Sequence, residues 1–191
     1  PEQVVNVPVF VTNNAANSVS LKLNIDKPAD WSLVTRAELD VLKPNEQKFL
    51  VLSVRVPSIC AVGEYRLGVQ IVNPETGSEL AAEAATVQVQ EVEKISLQLI
   101  EFDENVMAGE SYKASFLLTN RGNTEKKVFL ETLNCNVEGD AHIDVKPGES
   151  LTFFVGGSTS EELGTAQKRY VSVSAVVGGQ VKEKVFRQIT V

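Results

Sequence analysis

The sequence predicts an all-β chain made of two tandem antiparallel immunoglobulin-like β-sandwich domains. Three observations lead there. Apolar residues recur with period two, turn clusters cut that alternation into short pieces, and the whole pattern returns after about 105 residues. No segment of the 191 residues holds a 3.6-residue apolar period over three turns.

In the first unit, Val5, Val7, Val9 and Val11 share one face of a leading strand, and Asn13-Asn14 open the turn after it. Val19, Leu21, Leu23 and Ile25 then alternate with Ser20, Lys22, Asn24 and Asp26. Beyond the Lys43-Pro44-Asn45 turn, Leu50, Leu52, Val54 and Val56 form the next apolar face. Tyr65, Leu67, Val69 and Ile71 follow, set against Arg66, Gly68 and Gln70. This is the alternation of half-buried antiparallel strands. After the turn at 73–77, the Ala/Glu-rich stretch 78–85 reads as the start of a strand that continues through 86–90. It is too short for a helix of its own and lies between two strand patterns.

The second unit repeats these signals. Phe10-Val11-Thr12-Asn13 returns as Leu117-Leu118-Thr119-Asn120, an offset of 107 (13 to 120). Leu42-Lys43-Pro44-Asn45-Glu46 returns as Val145-Lys146-Pro147-Gly148-Glu149, an offset of 103 (43 to 146). Ala114, Phe116 and Leu118 take the inward phase of Val7, Val9 and Val11, and Gly178-Gly179 makes a two-residue hairpin turn. Tyr65, just after Gly63, stands where a sandwich ties its corner through a tyrosine hydroxyl. Tyr170 sits similarly, but Val171, Val173, Ala175 and Val177 hold the apolar phase; either a bulge shifts the register or Tyr170 faces outward. The expected domains are 1–93 and 94–191, joined without Gly, Pro or Ser and so without a floppy linker. Ile95 to Phe102 forms a leading strand in unit two that has no counterpart in unit one, so the first domain lacks its initial strand.

Composition removes several function classes. The chain carries 18 Lys+Arg against 25 Asp+Glu, a net charge of −7, which gives no cationic footprint for nucleic acid. No apolar run approaches the roughly 20 residues of a membrane span. A start at Pro1 without a signal-peptide pattern reads as a processed or excised piece. The single histidine, His142, lies between Asp140 and Asp144, which is too few nitrogen or sulfur ligands for catalytic zinc. Cys60 and Cys135 fall one in each unit and read as two independent thiols, because the usual sandwich disulfide needs two cysteines in one domain. Asp26, Asp30, Glu38 and Asp40 match no calcium-loop spacing, and Lys126-Lys127 and Glu161-Glu162 read as solvated charges. Gly156-Gly157 opens no helix and is no phosphate cradle. No nucleophile–base set is present, so no enzyme, catalytic residue, metal site or cofactor is expected. The candidate ligand contacts are Trp31 and Tyr65. Trp31 could be a sugar-stacking platform, but with few aromatics around it the residue reads better as a core plug whose indole N–H meets a backbone acceptor.

Pro28-Ala29-Asp30-Trp31, the Lys-Pro-Asn-Glu turn, Val56-Pro57 and Gly63-Glu64-Tyr65 form an ordered set. With it, the first unit resembles the bacterial immunoglobulin-like and fibronectin-III-like sandwich repeats associated with α-galactosidases and with cell adhesion. That family usually reads Pro-x-Gly-Trp, and Asp30 stands here in place of the glycine. The second unit keeps Thr119-Asn120-Arg121-Gly122-Asn123 and Pro147-Gly148-Glu149 but has no tryptophan. The resemblance covers nearly the whole chain and implies a bacterial extracytoplasmic protein in which such repeats serve as spacers or adhesive modules. The expected role is a non-catalytic structural or interaction segment of a larger protein. Its partners would be the parent's other domains and protein or glycan at the cell surface. The alternatives are a carbohydrate-binding accessory module of a secreted glycoside hydrolase and, third, a two-domain pilus chaperone. A chaperone would need basic residues at the junction, where 91–95 offers only Lys94.

Overall fold

Turn chemistry decides where each strand stops. In the computed structural model, residues 3–35, 41–160 and 168–190 are described. Glu38, Asp40 and Glu161-Glu162 lie outside them. The described residues form sixteen strands in two compact units that divide between Gln90 and Glu91. The sequence alone predicts the join after Glu93. Residues 91–93 go with unit 2 because Val92 exchanges hydrogen bonds with Asn123 while Glu91 and Glu93 pair with Lys126.

Unit 1 contains β1 (Gln3–Thr12), β2 (Val19–Ser20), β3 (Lys22–Asp26), β4 (Ser32–Leu33), β5 (Val41–Leu42), β6 (Gln47–Val56), β7 (Gly63–Val72) and β8 (Glu79–Val89). One sheet runs β1-β6-β4 and the other β3-β7-β8, with a small β2-β5 pair at one end. Unit 2 contains β9 (Ile95–Phe102), β10 (Ser111–Asn120), β11 (Lys126–Leu133), β12 (Asn136–Val137), β13 (His142–Val145), β14 (Ser150–Ser158), β15 (Lys168–Val177) and β16 (Gln180–Thr190). Its sheets run β12-β14-β10-β9 and β13-β11-β15-β16, all antiparallel. Both units are β-sandwiches.

The register reproduces the sequence repeat. Val7, Val9 and Val11 of β1 oppose Leu52, Leu50 and Lys48 of β6, and Ala114, Phe116 and Leu118 of β10 oppose Val155, Phe153 and Leu151 of β14. These pairs keep both offsets, 107 on the first strand and 103 on the second. The cores differ. Unit 2 has one continuous cluster running from Ile95 and Leu97 through Leu118, Val128 and Val173 to Ile189. Unit 1 has two smaller clusters, one around Leu23, Leu42 and Leu52, the other around Trp31, Val54 and Leu67.

A repeated corner locks each sandwich. The Asn13 carboxamide donates to the carbonyls of Leu42 and Asn17, each at 2.9 Å, and accepts from the Ala15 N–H. Asn120 does the same with Val145, Thr124 and Gly122. Beside them, the Glu46 and Glu149 carboxylates accept from the N–H of Lys43 and Lys146. The turns between need a left-handed residue after proline, supplied by Asn45 (φ 62°) in one unit and Gly148 (φ 76°) in the other. Gly178 and Gly179 both have positive φ, as a two-residue hairpin turn requires.

Tyr170 faces outward and is 57% exposed, while Val171, Val173 and Ala175 fill the core. The register shift on β15 lies further along, between Ala175 and Val176.

Candidate functional site

Trp31 and Tyr65 come together, with ring centroids 5.1 Å apart and planes tilted by 39°. Trp31 is held by its backbone N–H bond to the Pro28 carbonyl, and the Lys27 ammonium donates to the Trp31 carbonyl. Only 2% of Trp31 is exposed, and it packs with Val54, Val56, Cys60 and Leu67. A ring so covered offers no stacking face, so Trp31 is not the ligand contact that its sequence position suggested. The expected backbone acceptor for the indole is also absent among the described residues, where the buried Nε1 has no hydrogen-bond partner. Tyr65 is the corner tie, its hydroxyl donating to the Ala61 carbonyl at 2.8 Å. A hydrogen bond with the Cys60 thiol pushes the Tyr65 hydroxyl above its usual pKa.

The other sequence candidates stay apart. His142 is exposed, 3.5 Å from Asp140, with its ring 4.7 Å from that of Phe129. It opens the edge strand β13. Asp26 and Asp30 are exposed. Cys60 and Cys135 are buried thiols in separate cores. Burial pushes the Cys135 thiol up in pKa, which suppresses its thiolate.

The feature that stands out is an apolar groove in unit 1, about 270 Å³, between β1 and β8. Val7 and Val9 of β1 form one wall, Val69 and Ile71 of β7 the floor, and Ala81 to Ala85 of β8 the other wall. Ladder pairing sets Ala81, Glu83 and Ala85 opposite Ile71, Val69 and Leu67, so all three occupy core-facing positions. Ala81 and Glu83 are exposed and Ala85 is half-buried, and the two alanines carry only a methyl group. Among the described residues β1 is also an edge strand, with β6 as its one ladder partner. In unit 2 the equivalent edge of β10 is covered by β9. There Ile95 and Leu97 are buried and Leu99 and Phe102 pack on the core.

That no described strand of unit 1 corresponds to β9 was legible in the sequence. The groove was not, because the Ala/Glu-rich stretch that forms its wall signalled only a strand. Its usable clue was alanine at inward positions where other strands carry Val or Leu.

No family model matches the chain, and no curated protein matches it. Among solved structures it is similar to a protein of unknown function from Porphyromonas gingivalis, at 19% identity and TM-score 0.34, covering 100% of this chain and 97% of that one. It is also similar to fibronectin(III)-like modules of Clostridium thermocellum CbhA, at 15% identity and TM-score 0.32, covering 97% and 85%. A third is the YadV chaperone, at 10% identity and TM-score 0.27, covering 97% and 99%. Likenesses this weak carry no argument; the sandwich assignment rests on the strand order of each unit.

Proposed function

We propose that the chain is a non-catalytic structural and interaction module, a spacer or adhesive segment of a larger bacterial extracytoplasmic protein of the cell surface, periplasm or medium. The observation that carries this reading is that, among the described residues, unit 1 presents an apolar groove beside the edge strand β1. The residue types in both units serve folding: carboxamides and carboxylates close turns, and the thiols are buried. The resemblance to α-galactosidase-associated and adhesion repeats supports the extracytoplasmic placement, with the parent's other domains and surface protein or glycan as partners. Purified chain should show no turnover on glycosidase, peptidase or esterase substrates. An activity that follows the protein through purification and disappears on a point substitution would overturn the reading.

A carbohydrate-binding accessory role is the second reading. With Trp31 buried, its support moves to Phe10 and Phe49 on the outer face of β1 and β6. These are 66% and 55% exposed, with centroids 4.9 Å apart. Binding on a glycan array that Phe10→Ala abolishes would favour it.

A further inference from the structure

We propose that the outer face of the β13-β11-β15-β16 sheet of unit 2 is an interface to a second copy of this chain, formed about a two-fold axis that runs along β15. The inference goes beyond the proposed function and does not depend on it.

The face is built on the inner strand β15. Val171, Val173 and Ala175 point into the core, so Ser172, Ser174 and Val176 lie on the opposite side of the sheet. These three are buried although they face outward. On the flanking strands the same side of the sheet carries Phe129 and Leu133 of β11 and Val181 and Phe186 of β16, all exposed. Exposed apolar residues scattered singly are ordinary, but four on adjoining positions of one sheet form a contiguous patch, which marks a contact surface.

Ladder register lays this face out in rows across β11, β15 and β16. One row is Phe129, Val176, Val181; the next is Glu131, Ser174, Lys184; the third is Leu133, Ser172, Phe186. The outer positions are both apolar in the first and third rows and opposite in charge in the middle one. A two-fold interface requires that pattern, because the same patch must complement itself. Turning a second copy about an axis along β15 lays its β16 over β11 of the first and its β11 over β16, with every row level with itself. Leu133 then meets Phe186 of the second copy, Phe129 meets Val181, and Glu131 meets Lys184, each contact made twice. Tyr170, exposed at the end of the axis strand, meets its own counterpart.

The charges decide the occupant. Within one chain Glu131 and Lys184 stand two strand spacings apart, about 9–10 Å between backbones, with Ser174 between them. Among the described residues neither has an ion-pair partner; the Lys184 ammonium lies 4.7 Å from the centre of the Phe186 ring. The other charges on this side, Lys127 and Asp144, pair with each other at 4.0 Å beyond the Phe129 row. A foreign partner would have to carry a basic and an acidic group in reverse order between two apolar rows. A second copy carries them by symmetry. Three strands by four rows is about 14 Å by 27 Å, or about 400 Å² of flat face on each copy. That is small beside the roughly 800 Å² per partner of a standard interface, so the dimer is weak and forms at about 100 μM or above.

Sedimentation equilibrium on the full chain tests this. The parent should show a monomer–dimer equilibrium in that range. Glu131→Lys and Lys184→Glu should each weaken the dimer about tenfold or more, because each sets like charges against one another twice. An equimolar mixture of the two variants should dimerise within about threefold of the parent, since each then supplies the charge that the other lacks. Glu101→Lys, an exposed reversal on β9, should change nothing. All three variants should keep the parent's unfolding profile at low concentration; if a reversal at 131 or 184 alters it, Leu133→Arg serves in its place and should abolish the dimer.

A parent chain still monomeric at about 1 mM overturns the proposal. So does a dimer that ignores both reversals, which would place the contact elsewhere, the groove of unit 1 included. Recovery in the double variant Glu131→Lys/Lys184→Glu without recovery in the mixture would mean that the two charges meet within one chain, and overturns it equally. None of these outcomes touches the non-catalytic reading, which only a turnover measurement can overturn.

Discussion

Asn120 is fully buried and donates through its side chain to the carbonyl of Val145 at 2.9 Å, as Asn13 donates to Leu42 at the same distance in the other unit. Each carboxamide also spans its own turn, so one side chain satisfies backbone groups from two separate loops. Removing it strands buried polar groups as well as losing bonds. Asn120→Ala should cost unit 2 about 3 kcal/mol, a value expected when several buried bonds are lost together. Asn13→Ala should cost less, because Asn13 retains some solvent contact. Urea unfolding followed separately for each unit checks both values.

Trp31 separates packing from polar satisfaction. Trp31→Ala should cost about 3–5 kcal/mol through the cavity it leaves. Trp31→Phe removes an indole N–H that has no acceptor among the described residues, so part of the packing loss is offset and the cost should fall to about 1–2 kcal/mol. Emission from native Trp31 should be blue-shifted and poorly quenched by iodide. Full quenching, together with unchanged stability on removal, would place the ring on the surface.

Gly157 lies against Tyr112, which is 1% exposed and donates its hydroxyl to the Asn134 carbonyl. A Cβ at position 157 would overlap the Tyr112 hydroxyl and come within 2.5 Å of Cζ. Gly157→Ala should therefore destabilise unit 2 by about 1–3 kcal/mol, the range for overpacking a filled core. Gly77→Ala meets no atom within 4 Å and should be destabilised only by its left-handed φ of 71°. Thermal melts of the two variants compare the causes.

Acid should loosen unit 2 at its entry. A hydrogen bond from Lys126, then one from Thr124, holds the Glu91 carboxyl below its usual pKa, and Lys182 does the same for Glu93. Carboxylates with depressed folded pKa values contribute stability above the unfolded value, near 4.5, and lose it as pH falls through the folded value. Lys126 is raised by Glu91, so its share persists up to the unfolded lysine range and disappears only above it. The fall in unit 2 stability below pH 4.5 should be shallower in Glu91→Gln/Glu93→Gln, and salt should shrink the difference. Identical pH profiles for parent and double variant would show that these ion pairs do not contribute.

Both cysteines should count as thiols in denaturant without reductant. In the native chain both should resist alkylation, since each is buried and the Cys135 thiolate is disfavoured. Rapid labelling of native Cys135 would contradict its place in the core.

Period-two alternation made the strands legible, because a half-buried strand has to place apolar residues on one face. The paired Asn and Lys-Pro-x-Glu signals marked the corner because only a side-chain amide at that spot can serve two loops. Tyr170 stayed ambiguous because both faces of β15 are buried beyond it, Ser172 and Ser174 included. The indole acceptor was expected from the general habit of buried tryptophan, and whether one exists depends on atoms distant in sequence. The groove escaped notice because it is made by what β8 omits, and period-two patterning registers apolar presence rather than side-chain volume.

The segment after β9 also bears on how the chain would carry force. Val106 donates its N–H to the Thr190 carbonyl and Thr190 donates to Glu104, while Asn105 and Thr190 form a parallel bridge. In a parallel pair, tension entering through β9 and leaving after Thr190 draws the two segments past one another. Their bonds are then strained together rather than peeled one at a time. Unit 2 thereby has a shear-loaded clasp between the segment after β9 and the end of β16.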